Sequence, residues 1–191
     1  LVTLVDRPDA PPRPPRTTGL FHLALLVPSR DELARSLHRV TAAGHRFTGA
    51  SDHLVSEALY LDDPEGNGIE IYRDRPREEW SYADGQLEMA TLPLDLDGVL
   101  AGVAAGESGA GMAARTRIGH VHLQVASIPD AEAFYVGAVG FEATVRGYPG
   151  ALFVSAGGYH HHLGLNTWAG PGAQPPPPGA RSSALRNWSS A

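Results

Sequence analysis

Nine histidines stand in the 191-residue chain, and three of them are consecutive. Residues 157–168 read GGYHHHLGLNTW, which sets His160, His161 and His162 between a glycine turn and an apolar run. Two more histidines open alternating apolar stretches, His22 in HLALLVPS and His120 in HVHLQVAS, and Glu70 lies between two isoleucines in GIEIY. The chain has no cysteine, so thiolate sites and disulfides are excluded. Any metal must then be held by imidazole and carboxylate, which suits Fe, Mn, Zn or Ni. Two imidazoles and one carboxylate meeting at a point form the facial triad of non-haem Fe(II) enzymes. That triad leaves three coordination positions open for substrate and O₂.

Taken singly, a strand histidine is ordinarily a packed or surface residue, and a glutamate between isoleucines ordinarily faces solvent. A repeat in the chain raises these residues above that reading. HLALLVPS and HVHLQVAS both alternate like half-buried strands, and each is followed by a helix signal. Ser29 and Glu32 make an S-x-x-E capping box, with Leu33, Leu37 and Val40 on one face. Ala131, Phe134, Tyr135 and Ala138 form the matching face in the second copy. Both helices stop near a glycine, Gly44 and Gly140. ALYL at Ala58 then matches ALFV at Ala151, and the copies leave as IEIY and HHHLGLN. Each unit is β-α-β-β-β and cannot cover its own sheet, so two such units should pair and curl around a shared cup. The expected class is α+β. The expected organisation is a proline-rich lead-in over 1–19, module one over 20–74, a connector with a short helix over 75–117, module two over 118–168 and a proline-rich tail over 169–191. Pairing would bring His22 and His120 together across the cup, with Glu70 at its border.

The composition is that of a globular protein, 42% hydrophobic and 19% charged, with a net charge of −6. No basic stripe is present, so nucleic acid is not an expected partner. No run of 18 apolar residues occurs, and the first 20 residues do not read as a signal peptide. A cysteine-free chain fits a reducing cytoplasm. The chain opens on Leu1, and LVTLV and ALRNW at its two ends read as pieces of further modules, so a segment of a longer protein is expected.

The stretches TTGLFHLALLVPSR, GASDHLVSEALYLDDPEGNGIEIYRDRPREEW and GGYHHHLGLNTW resemble the vicinal oxygen chelate superfamily of glyoxalases, bleomycin-resistance proteins and extradiol dioxygenases. Within it they resemble the catechol-2,3-dioxygenase-like branch. The resemblance implies a metal site of His22, Glu70 and His120, filled by Fe(II) first and Mn(II) second. It implies an acid–base histidine at His161 and a substrate-orienting tyrosine at Tyr60, with Pro64 as the turn proline. His53, in the stretch DHLVS, would stand on the wall of the same pocket. Strict strand alternation points elsewhere: His160, His162 and Gly164 share one face, and if that face lines the cup His162 is the base. His161 is taken first and His162 second. The implied reaction opens an aromatic diol beside its hydroxyls, with O₂ as co-substrate, and a homodimer is the assembly this shape suggests. Longer relatives of this kind carry four modules, so a complete set here requires the two modules to pair with each other. The rivals are a glyoxalase-like isomerase or lyase and a non-catalytic binder. Glyoxalase-type sites usually add a carboxylate on the last strand of the second unit, where this chain has Leu163 or Gly164.

Overall fold

The computed structural model describes residues 7–181; the LVTLV and ALRNW stretches lie outside them. Module one runs β1 (Gly19–Leu26), α1 (Arg30–Ala42), β2 (Gly49–Asp52), β3 (Ser56–Asp62) and β4 (Gly68–Asp74). The connector forms a 3-10 turn (Arg77–Glu79), a small hairpin of β5 (Tyr82–Ala83) and β6 (Gln86–Leu87), then β7 (Leu92–Pro93) and α2 (Leu96–Leu100). Module two follows as β8 (Arg117–Gln124), α3 (Ile128–Glu132), a π-helical turn (Ala133–Ala138), β9 (Glu142–Val145), β10 (Ala151–Ser155) and β11 (Leu163–Asn166).

Nine strands join in one sheet in the order β7-β2-β3-β4-β1-β8-β11-β10-β9. Each module contributes the same four-strand pattern, and the first strands of the two modules, β1 and β8, pair antiparallel at the centre. β1 pairs parallel with β4, and β8 with β11. The architecture is the expected α+β pairing of two βαβββ modules into a curled sheet around a cup.

Strand alternation sorts module one into two layers. Leu59 and Ile71 pack outward with Val27, Leu33, Ala34 and Val99 under α1 and α2. Ala58, Tyr60 and Tyr72 pack on the opposite face with Ala24 and Leu26, and Glu70 shares that face. Helix α1 begins where expected, with the Ser29 hydroxyl accepting from the Glu32 N–H at 3.3 Å. It ends at Gly44, whose φ of 76° needs a residue without Cβ.

Module two departs from expectation in two places. Its helix is regular only to Glu132 and then widens into the π turn. The widening swings Phe134 off the packed face, leaving it 57% exposed, while Ala131 and Tyr135 still pack on Leu152, Val154 and Leu165. The last strand begins at Leu163, not within the histidine run. Gly157 and Gly158 both adopt positive φ, and the Thr144 hydroxyl donates to the His160 carbonyl at 2.7 Å. That carbonyl is thereby withdrawn from strand pairing. Ladder contacts start only at His162, whose N–H donates to Val154 O at 2.9 Å.

Candidate metal centre and cavity

The register builds the centre. Ala24 of β1 lies between Glu70 on β4 and His120 on β8, so its small side chain leaves room for both neighbours to meet. His22, two residues back on the same face, completes the group. His22 Nε2 is 2.9 Å from Glu70 Oε2, His120 Nε2 is 3.1 Å from the same oxygen, and the two nitrogens are 3.3 Å apart. All three residues are buried.

Two imidazole nitrogens and a carboxylate oxygen converge here, and if both nitrogens donate to Glu70 their N–H groups face each other at 3.3 Å with no acceptor between them. The donor set therefore fits a metal ion. Ligands about 2.1 Å from one ion lie about 3.0 Å apart at right angles and about 3.4 Å apart in a tetrahedron. The observed spacings, 2.9 to 3.3 Å, accommodate a facial arrangement. Among the described residues this is the one such cluster of metal-ligating side chains.

The electrostatics agree. Burial alone would push the Glu70 carboxyl up, but the charges of, and hydrogen bonds to, His120 and His22 outweigh it and hold the group well below its ordinary range. Burial pushes His120 down, against the opposing pull of Glu70. The site keeps its carboxylate charged and the His120 imidazole available as a ligand.

Above the three donors opens a cavity of about 250 Å³. His161, Tyr60 and His53 line it together with His22, Glu70 and His120. Tyr60 stands directly across from Glu70 in the β3–β4 ladder. His53 Nδ1 donates to the Ala90 carbonyl at 2.7 Å, so its Nε2 accepts from the Tyr60 hydroxyl, also at 2.7 Å. The phenol proton thus goes to His53. Burial, reinforced by the Glu70 charge, raises Tyr60 well above its ordinary range, so it stays a phenol.

The histidine run divides. The His161 ring lies 4.1 Å, centroid to centroid, from that of His120 and 4.9 Å from Phe153. Burial first, then the neighbouring His120 and His160, hold His161 well below its ordinary value, so it is neutral. His162 does not line the cavity. Its Nδ1 accepts from the Ser155 hydroxyl at 3.0 Å and the Ala156 N–H at 3.2 Å. His160 is fully buried behind His161.

Several lining residues were not read from the sequence. His122 is buried beside His22, with ring centroids 5.0 Å apart, and its Nε2 has no hydrogen-bond partner. Burial, then the charge of His22, pushes it well below its ordinary value. Two-residue spacing from His120 was the available signal, since i and i+2 share a strand face. Met89 and Thr91 of the connector and Phe21, Phe153 and Trp168 complete an apolar wall. Gly164 occupies the place in module two that Glu70 holds in module one, opposite His122 as Glu70 is opposite Ala24. A Cβ at Gly164 would lie 2.8 Å from the His122 ring, so no carboxylate can stand there beside that imidazole.

The model of the Glyoxalase/Bleomycin resistance protein/Dioxygenase superfamily matches residues 1–71. Over 184 residues, 94% of this chain, the sequence is 48% identical to Catechol-2,3-dioxygenase of Bacillus subtilis (strain 168). Over 79 residues, 40% of this chain, it is 32% identical to Biphenyl-2,3-diol 1,2-dioxygenase 3 of Rhodococcus globerulus. The chain spans 64% of the length of the first relative, and the second match covers 42% of the second. Among solved structures, methylmalonyl-CoA epimerase from Mycobacterium tuberculosis aligns over 78% of this chain and 86% of its own, with a TM-score of 0.41 and 13% identity. The family model over residues 1–71 and the 48% identity over most of the chain bear out the resemblance to the glyoxalase, bleomycin-resistance and dioxygenase superfamily read from the sequence.

Proposed function

We propose that this chain holds the active site of an extradiol dioxygenase, which cleaves the ring of a small aromatic diol beside its hydroxyls with O₂ as co-substrate. The observation that carries the reading is the convergence of His22 Nε2, His120 Nε2 and Glu70 Oε2 under a cavity that holds a neutral histidine and no second carboxylate. A glyoxalase-like reaction would want that second carboxylate as fourth ligand and base, and the His122 ring fills its place.

The residues divide the work. His22, His120 and Glu70 would hold Fe(II), or Mn(II) in its stead, which supplies Lewis acidity toward the diol and the redox chemistry of O₂. Neutral His161 accepts a proton from one diol hydroxyl and returns it later as general acid. Tyr60, its proton committed to His53, presents its oxygen as an acceptor that orients the second hydroxyl. Phe21, Phe153 and Trp168 give the ring an apolar wall and exclude water. A cavity of about 250 Å³ is below the common range for drug-sized ligands, which favours one ring over two.

The test is anaerobic reconstitution with Fe(II), metal analysis and an O₂-dependent absorbance assay on catechol and simple substituted catechols. One iron per chain and a yellow ring-opened product, both lost in His22→Ala and Glu70→Ala, are expected. Bound metal with no O₂ consumption on any diol would overturn the reaction. No bound metal would overturn the site.

A further inference from the structure

His161 does not stand alone behind the cavity. Its Nδ1 lies 2.7 Å from His160 Nδ1, and His160 Nε2 lies 2.9 Å from Asp74 Oδ1. Asp74 is the last residue of β4, four residues beyond Glu70 on the same face, with Tyr72 between them. The Asp74 carboxylate also accepts from the Tyr159 hydroxyl at 3.0 and 3.2 Å, and the Tyr72 and Tyr159 hydroxyls are 2.8 Å apart. Module one thus reaches across to module two twice, with Glu70 at the metal donors and Asp74 at the histidine run.

The protons in this chain can be assigned in order. A carboxylate accepts and does not donate, so His160 carries its proton on Nε2. With a single N–H, held on Nε2 by Asp74, His160 presents a bare Nδ1 that must accept. The proton between the two Nδ1 atoms therefore belongs to His161. With its proton on Nδ1, a neutral His161 has a bare Nε2. That atom makes no hydrogen bond among the described residues, and the ring faces the cavity.

We propose that Asp74 and His160 are positioning residues that lock His161 in its Nδ1-protonated tautomer, reserving the Nε2 lone pair for the substrate hydroxyl. The lock works as an orienting carboxylate does behind a catalytic imidazole, but through one intervening ring. Two further features hold it in place. The Thr144 hydroxyl pins the His160 carbonyl, and Tyr72 packs against Gly119, where a Cβ would lie 1.8 Å from the phenol oxygen. Tyr159 donates its only proton to Asp74, so Tyr72 donates to Tyr159, and every hydroxyl in the network points toward the carboxylate.

The inference rests on the reading of His161 as the proton-handling residue, and its test does not need turnover. Long-range ¹H–¹⁵N correlations of the imidazole rings in ¹⁵N-histidine-labelled protein report each tautomer directly. In the wild type His161 is expected to show Nδ1–H with an unprotonated Nε2, and His160 the opposite. In Asp74→Ala the His161 population is expected to shift toward Nε2–H by tenfold or more, while the His22 and His120 signals hold. In iron-loaded protein the same variant should lower kcat about 10- to 100-fold with KM within twofold, and Asp74→Glu should recover part of the loss. An Nε2–H tautomer at His161 in the wild type would overturn the lock, as would a tautomer unmoved by Asp74→Ala. The wild-type measurement decides the matter even if the variant does not fold. The expected tautomers in a protein that never cleaves a diol would leave the lock standing and sink the dioxygenase reading instead.

Discussion

Two residues beyond the histidine that each module gives to the metal set, β1 carries Ala24 and β8 carries His122. On the parallel last strands the partners are Glu70 for Ala24 and Gly164 for His122. Each module thus pairs one large polar side chain with one small residue at this point in the cup, but in opposite order. Module one puts the large side chain on its last strand as a carboxylate; module two puts it on its first strand as an imidazole. A duplicated frame therefore need not give a duplicated site. Both modules keep the volume, and only one keeps the charge. The carboxylates that meet the histidines at the cup, Glu70 and Asp74, come from module one, while four of the imidazoles there, His120, His122, His160 and His161, come from module two.

The harshest way to break the asymmetry is to remove its charge. Glu70→Ala leaves His22 and His120 facing each other with no anion, so metal retention on dialysis is expected to fall from one ion per chain to none detectable, and activity with it. Glu70→Gln keeps the shape and should behave almost as badly, because the carboxylate and not its volume holds the cation. Stoichiometric metal in Glu70→Gln would mean that the two histidines suffice.

A gentler change asks whether module two can be given the module-one pattern. Gly164→Glu drives a side chain into the His122 ring, with a first contact at 2.8 Å from Cβ. The expected cost is about 3 kcal/mol or more, from overpacking and a buried charge without room. Adding His122→Ala should recover most of that stability and place a fourth ligand at the metal. The double variant is expected to bind metal more tightly and cleave no diol. Ring cleavage at wild-type rate in the double variant would show that an open fourth position does not matter.

The sequence carried the repeat and its consequence at the centre, because both rest on short-range pattern. Period-two alternation placed His22, His120 and Glu70 on strand faces, and matching copies implied a pairing that brings them together. The same rule applies to His122, two residues from His120, but nothing in its own stretch marks it as more than a packed strand histidine. The histidine run failed as a strand for a reason no local pattern shows. Thr144, sixteen residues earlier, takes the His160 carbonyl and delays the ladder. Likewise Asp74 meets His160 across 86 residues of chain. Met89 and Thr91 reach the cavity from a connector with no periodicity to read.

Acid should open module one before module two. Glu57 is buried under Arg30, Arg73 and Arg75; the matching residue before ALFV in module two is Gly150. Burial would raise the Glu57 carboxyl, but its arginine partners outweigh that and lower it below 4.5. Glu70, Asp52 and Asp63, also lowered, lie in module one too. A carboxyl depressed in the folded state stabilises it above its unfolded value and loses that contribution as pH falls through the folded one. Hydrogen exchange below about pH 4.5 is therefore expected to rise first in β3 and β4. Glu57→Gln should cost about 2 kcal/mol at pH 7, discounted for the partial exposure of its arginines, and should flatten the acid limb. Equal loss of protection in β10 and β11 would remove the distinction between modules.

The smallest expected difference lies at the two helix starts. Ser29 caps α1 by accepting from the Glu32 N–H, and Ser127 caps α3 by accepting from the Asp130 N–H, both at 3.3 Å. Loss of a serine cap typically costs about 1 kcal/mol. The two should not be equal. In α1 the first turn is Arg30, Asp31 and Glu32, all with N–H groups to satisfy. In α3 Pro129 stands in the first turn, lacks an N–H and fixes its φ in the helical range, so one orphan donor is absent and the turn is preset. Ser29→Ala is expected to cost about 1 kcal/mol and Ser127→Ala about half that, additive in the double variant because the sites share no partner. Chemical denaturation resolves that gap. A Ser127→Ala loss equal to or above that of Ser29→Ala would place the strength of the second cap in the hydroxyl, and the proline would then add nothing to it.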